Sequence, residues 1–272
     1  MNRLDYRVIL VTGSTGMAAA AAERFASEGA AVFVISRTES HCRELAERIA
    51  AASGRVAYRA ADLTDETEVE AAVGACVEAF GRIDGLFSVA GGSGRRFGDG
   101  PIHEVSGDAW DATLVLNLRT QALVCGAVVR RMRDQAPNES GTRGSILLMS
   151  SVTATDPVPE LFGTHAYAAA KGATTALMTA MAATYLADRI RVNAVAPSLT
   201  RTPMADRAAA DERTLAFARL KQPLAGEMLD SGEVAHAAVY FLSDESRTVT
   251  GQLLKIDGGW SVNSVSPPES TP

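Results

Sequence analysis

Seven short apolar runs punctuate the chain. Val8–Val11, Ala31–Ser36, Arg55–Ala60, Leu86–Ala90, Ser145–Met149, Arg191–Ala196 and Leu253–Ile256 each hold four to six residues, many of them β-branched. Between them, apolar positions recur at helical spacing over Met17–Ser27, Glu39–Ala52, Asp65–Phe80, Ser106–Gln135, His165–Ala187, Ala205–Leu220 and Glu233–Leu242. Gly29, Gly54 and Gly81 stand just past three of these segments, where helices commonly stop. The short runs are almost continuously apolar rather than alternating. Strands of that kind are buried on both faces, which requires a parallel sheet with helices on either side. The pattern therefore predicts an α/β protein with a doubly wound parallel sheet of about seven strands. No repeat or composition break divides it. A single domain is expected over residues 1–263, with residues 264–272 a loose Ser/Pro-rich tail.

Composition narrows the function classes. The chain has 272 residues, of which 47% are hydrophobic and 21% charged, so it has ample material for a core and is not a disordered chain. A net charge of −6 argues against a nucleic-acid footprint or a polybasic membrane patch. The apolar run near the N-terminus is too short for a signal-peptide core, and no stretch approaches about 20 uninterrupted apolar residues, so neither export nor membrane insertion is expected. Cys42, Cys76 and Cys125 are scattered, as befits free thiols in a reducing cytoplasm. His41, His103, His165 and His236 lack ligand spacing, and no metal is expected.

Candidate chemistry sits at the ends of the strands. Gly13, Ser14, Thr15, Gly16 and Met17 join the first strand to the first helix, with Ala19 where a third glycine often falls. Two glycines there allow a tight turn and close backbone approach to a pyrophosphate, and the helix supplies free N–H groups. Such a loop alone also fits a plain turn; its place in a first βαβ unit favours the phosphate. The second strand ends Ser36-Arg37-Thr38, with no acid to bond ribose hydroxyls. Arg37 can instead pair with a 2′-phosphate, or stand solvated. Tyr167 and Lys171 lie four apart, on one face of the helix that they open. A free phenol is too weak an acid to serve as a base near neutrality, and a neighbouring ammonium favours its ionised form. Ser150-Ser151 closes the preceding strand, and Asn117 interrupts an apolar helix face, where a kink and a water would satisfy it. Arg95 and Arg96 lie in a Gly-rich loop. They are either a solvated surface pair or bridged to a neighbouring acid such as Asp99, or one of them faces the pocket mouth and attracts an anionic substrate or the cofactor phosphates.

Taken together, these residues resemble the compact, single-domain short-chain dehydrogenases/reductases, over about Val8–Val262. The resemblance rests on Thr12–Ala19, Asp62-Leu63, Ala90-Gly91, Asn117, Ser151, Tyr167, Lys171, Arg191–Pro197, Thr202, Thr250-Gly251-Gln252 and Asp257-Gly258-Gly259. It implies a Rossmann-type sheet and hydride transfer between NADP(H), favoured over NAD(H), and a carbonyl or secondary alcohol. It further implies Tyr167 as general acid/base, Ser151 orienting the substrate oxygen, and Lys171 on the nicotinamide ribose. Asn117 would hold a relay water, Asp62 and Leu63 would meet the adenine, and Pro197 to Thr202 would line the nicotinamide. The family's habit of pairing two long helices implies a homo-oligomer, tetramer or dimer. A different class, an idle NADP-binding sensor or scaffold on the same fold, usually lacks the Tyr or Lys. An enoyl-thioester reductase fits poorly, because that branch spaces its Tyr and Lys more widely. The chain departs from the family pattern in a glycine loop one residue tighter, in Ser88-Val89-Ala90-Gly91, in Pro197-Ser198, and in the 16-residue step from Ser151 to Tyr167. That step implies a longer loop over the site at Thr153–His165.

Overall fold

The computed structural model describes residues 2–265; most of the tail expected to be loose, 266–272, lies outside the described residues. Among them, seven strands form one parallel sheet in the order β3-β2-β1-β4-β5-β6-β7. They are β1 (Val8–Thr12), β2 (Ala31–Ser36), β3 (Arg55–Ala60), β4 (Gly85–Ser88), β5 (Gly144–Met149), β6 (Ile190–Pro197) and β7 (Leu253–Ile256). The helices are α1 (Gly16–Ser27), α2 (Glu39–Ala51), α3 (Glu66–Phe80), α4 (Gly107–Leu114), α5 (Thr120–Asp134), α6 (Pro159–Phe162), α7 (His165–Thr184), α8 (Asp206–Ala209), α9 (Glu212–Lys221) and α10 (Ser231–Leu242).

Successive strand side chains point to opposite faces, which divides the core in two. Leu10, Phe33, Leu86, Ile146 and Val192 pack on one face with Val73 of α3, Val128 of α5 and Met178 of α7. Ile9, Val11, Val34, Phe87 and Leu147 pack on the other with Ala22 of α1, Leu45 of α2 and Val239 of α10. Each large side chain so buried contributes roughly 1.5–3 kcal/mol before chain entropy is counted. The continuously apolar runs are thus explained: both faces of every central strand need an apolar side chain.

Because β1 pairs with both β2 and β4, the chain reverses its direction of travel across the sheet at β1. A crevice opens at such a point beyond the carboxyl ends of the strands, where α/β ligands bind. The strand predicted at Leu86–Ala90 stops at Ser88. The Thr12 hydroxyl accepts the amides of Val89 (2.9 Å) and Ala90 (3.1 Å), tying this turn to the end of β1.

Two helices predicted as continuous are not. Ser106–Gln135 contains a π-helical turn at Val115–Arg119, between α4 and α5, centred on the buried Asn117. The run Gly107–Asp134 is long and apolar enough to cross a membrane, but half of its most apolar window is buried in the fold. Ala205–Leu220 divides into α8 and α9. Asp211 starts the second by accepting the Arg213 amide and the Thr214 hydroxyl.

Candidate active site

The carboxyl ends of the central strands surround a cavity of about 280 Å³. Its floor is the loop after β1. Gly13 and Gly16 have φ values of +99° and +54°, a region open to glycine at little cost. Thr15 occupies the N-cap of α1 without giving a side-chain bond, and no acid stands in the helix's first turn. Four N–H groups at a helix start lack intrahelical partners. Here neither a capping side chain nor an acid competes for them, which suits a dinucleotide's pyrophosphate.

Tyr167, Lys171 and Ser151 line the same cavity. Lys171 is buried and donates from Nζ to the Met149 carbonyl (2.9 Å), with Nζ 5.5 Å from the centre of the Tyr167 ring. The Ser150 hydroxyl donates to the Lys171 carbonyl (2.9 Å), fastening α7 to the end of β5. Ser151 Oγ accepts from the Thr153 hydroxyl (2.9 Å) and amide (3.3 Å). The Ser151 hydroxyl also bonds toward the Tyr167 phenol.

Burial dominates the electrostatics. It raises the Tyr167 phenol to about 12, with the Ser151 hydroxyl pulling the other way. Burial also lowers Lys171 to about 8. The depression of the phenol expected from the Tyr–Lys spacing is therefore not produced by the chain's own groups: Lys171 lies across the ring face and is itself poorly solvated.

Asn117 sits behind Gly91. A Cβ at Gly91 would lie 2.7 Å from Asn117 Oδ1 and 3.7 Å from Lys171 Nζ. The Asn117 amide donates to the carbonyls of Gly92 (2.9 Å) and Thr113 (3.0 Å), and Oδ1 accepts the Gly92 amide (3.0 Å). The kink expected from a buried Asn is the π-helical turn. Gln121, absent from the sequence reading, links this turn to β5 through the carbonyls of Asn117 (3.0 Å) and Met149 (3.3 Å).

The cavity thus gathers Gly13, Thr15, Gly16, Met17, Ala90, Gly91, Ser151, Tyr167, Lys171, Pro197 and Thr202. Ser14, Ser36, Arg37, Thr38, Asp62, Leu63 and Asn117 do not line it. Ser14 is buried beneath the loop, and Leu63 belongs to the core. Ser36 ends β2, Arg37 and Thr38 follow it, and Asp62 follows β3, farther along the same sheet edge. Arg37 is exposed and has no hydrogen bond or ion pair among the described residues. Asp62 is held below the ordinary carboxyl range by the Thr64 amide and hydroxyl, with a smaller contribution from Arg37.

Some site residues could not be found from sequence spacing. Asp99 is buried and accepts the amides of Ala166 (3.0 Å) and Tyr167 (2.9 Å), so it caps α7 from another loop rather than bridging to Arg95 or Arg96. Arg96 stacks on Phe97, its guanidinium 4.5 Å from the ring centre. Arg95 lines the cavity and donates to the Leu161 carbonyl (3.1 Å). The extended Thr153–His165 loop is ordered by Trp260, which donates to the Asp156 carbonyl (3.2 Å) and packs on Phe162 and Phe217. Only the apolar character of Trp260 near the chain's end hinted at this.

Comparison with known proteins identifies the family. Residues 11–261 match a family model described as enoyl-(acyl carrier protein) reductase. The chain is 35% identical over 267 residues to short-chain dehydrogenase reductase 5 of Arabidopsis thaliana, covering 96% of each chain. It is 33% identical over 261 residues to D-threitol dehydrogenase of Mycolicibacterium smegmatis, covering 96% of this chain and 95% of that one. A solved short-chain dehydrogenase/reductase from Burkholderia xenovorans superposes with a TM-score of 0.87 at 32% identity, covering 97% of this chain and all of that one. The chain belongs to the short-chain dehydrogenase/reductase family, and it is an oxidoreductase of the kind that binds a nicotinamide dinucleotide.

Proposed function

We propose that the protein transfers hydride between NADP(H) and a carbonyl or secondary-alcohol substrate, with Tyr167 as the acid/base. The observation that carries this reading is the convergence of Tyr167, Ser151 and Lys171 on one cavity floored by an uncapped helix N-terminus. The bound dinucleotide supplies or accepts the hydride. Gly13 to Met17 hold its pyrophosphate, Ser36, Arg37 and Thr38 its 2′-phosphate, and Asp62 and Leu63 flank its adenine. Ala90, Gly91, Pro197 and Thr202 line the nicotinamide end. Lys171, fixed by the Met149 carbonyl, bonds the ribose hydroxyls.

Tyr167 gives its proton to the substrate oxygen as a carbonyl is reduced and takes one back as an alcohol is oxidised. Ser151, its oxygen held by the Thr153 hydroxyl, donates its proton to the same oxygen and fixes its position. Asn117 holds the Gly91–Gly92 turn against Lys171, and the second lone pair of Oδ1 is available to a relay water. The free Arg37 and the absence of an acid at Ser36 support NADP(H) over NAD(H). The three buried free thiols accord with a cytoplasmic setting.

Absorbance at 340 nm should fall when NADPH and ketones are supplied, or rise with NADP and secondary alcohols. Flat traces across a broad panel, alongside tight NADPH binding, would make the protein a nucleotide-binding sensor instead.

A further inference from the structure

The cavity has a second end. Apolar side chains including Leu199, Met204, Phe162 and Trp260 line it, together with two arginines. Arg95 comes from the loop after β4 and Arg207 from α8, elements far apart in sequence. The charged side chains lining the cavity are Lys171, Arg95 and Arg207, with no aspartate or glutamate among them. This is an unusual local balance in a chain of net charge −6.

Neither arginine forms an ion pair with an acid, although Asp99 acts on Arg95, and Arg207 on Asp211, through space. Asp99, the acid in Arg95's own loop, has both oxygens on the amides of Ala166 and Tyr167. Arg95 gives one bond to the Leu161 carbonyl, which leaves most of its donors free. Arg207 makes no hydrogen bond or ion pair among the described residues. Asp211, whose carboxyl Arg207 helps to keep ionised, is already occupied by the Thr214 hydroxyl and the Arg213 amide. The two guanidinium groups also sense each other. Partial burial is the larger cause that lowers Arg95, the Arg207 charge adds to it, and the Asp99 charge opposes it. Two like charges lining one cavity that no carboxylate lines make a site for an anion, and a planar guanidinium favours a carboxylate.

We infer that Arg95 and Arg207 form an anion subsite, and that the substrate is an oxo acid or hydroxy acid. Its carboxylate lies between the two arginines, its apolar body lies against Phe162 and Trp260, and its reacting oxygen lies at Tyr167. This rests on the reading that Tyr167 marks the reacting end of the cavity.

The test pairs aryl oxo acids of two chain lengths, such as 4-oxo-4-phenylbutanoate, with their methyl esters. Calorimetry on the NADPH-loaded enzyme reads binding, and absorbance at 340 nm reads turnover. The acid should bind about tenfold or more tightly than its ester, as charge-assisted bonds allow. Arg207→Ala, which loses no bond within the protein, and Arg95→Ala should each shrink that gap, and Arg207→Glu should reverse it. Added salt should narrow it in the unmodified enzyme. NADPH affinity and melting temperature should stay unchanged in Arg207→Ala. The inference is overturned if acid and ester bind equally, if neither binds, or if the gap survives in every variant. It is also overturned if Arg207→Ala weakens NADPH in step with the acid, which would assign the cations to the cofactor phosphates. Preferential binding of the acid without turnover of any pair would keep the anion subsite and remove the oxidoreductase reading.

Discussion

Burial moves two neighbouring ionisable groups in opposite directions, the Tyr167 phenol up to about 12 and the Lys171 ammonium down to about 8. The sign for the reaction follows from which form acts. Reduction of a carbonyl uses the protonated phenol, and oxidation of an alcohol uses the phenolate. The oxidation kcat/KM should therefore rise with pH up to the apparent pKa of the phenol, and the reduction kcat/KM should fall through the same value. Positive charge brought in with the oxidised dinucleotide favours the phenolate, so the bend in the oxidation profile should lie below about 12. An oxidation rate flat from about pH 6 to 10 would exclude Tyr167 as the base. Arg37 yields a second prediction. NADPH should bind more tightly than NADH by about 1–3 kcal/mol, and Arg37→Asp should flatten or invert the preference. Equal affinities in the unmodified protein, read by fluorescence titration, would refute it.

At the scale of elements, the helix that carries Tyr167 depends on a residue 68 positions earlier. Thr164 at its N-cap gives no side-chain bond, and Asp99 supplies the missing acceptor. Asp99→Ala should lower stability by about 1–3 kcal/mol, as loss of charge-assisted bonds to backbone amides does. It should lower kcat more than it raises KM for the dinucleotide, because the start of α7 carries the phenol. Asp99→Asn retains one acceptor oxygen and should recover part of both losses. Thermal melts and steady-state kinetics on the two variants check this, and an unaltered kcat in Asp99→Ala would refute it. Such a cap was invisible in the sequence, where Asp99 looked like a partner for Arg95 or Arg96. Local features were legible. The apolar runs mark the central strands closely because each needs apolar side chains on both faces, and Tyr167 and Lys171 stood out through their helical spacing taken with the residues that carry the family resemblance. Long-range pairings were not, because Gln121, Arg207 and Trp260 meet the site only through tertiary packing. The π-helical turn at Asn117 was foreshadowed only as a kink.

For the molecule as a whole, the sheet is closed on both faces within one chain, but the outer side of α7 is not. Ala176, Ala180 and Ala183 are exposed small residues, which permit close approach of another helix. Val124 and Val128 of α5 belong to the protein's own core. We predict a homo-oligomer, tetramer or dimer, joined through α7 with the outer side of α5. Light scattering at micromolar concentration should give a multiple of the 28.5 kDa chain mass; a monomer mass would refute it. The proton at Tyr167 is the centre of the proposed chemistry. The most direct measurement is single-turnover hydride transfer and dinucleotide affinity in Tyr167→Phe, side by side with the unmodified enzyme. Removal of the phenol oxygen should slow transfer by about 10²–10⁴-fold while dinucleotide affinity changes less than about twofold. Transfer within about tenfold of the unmodified rate would show that another group moves the proton.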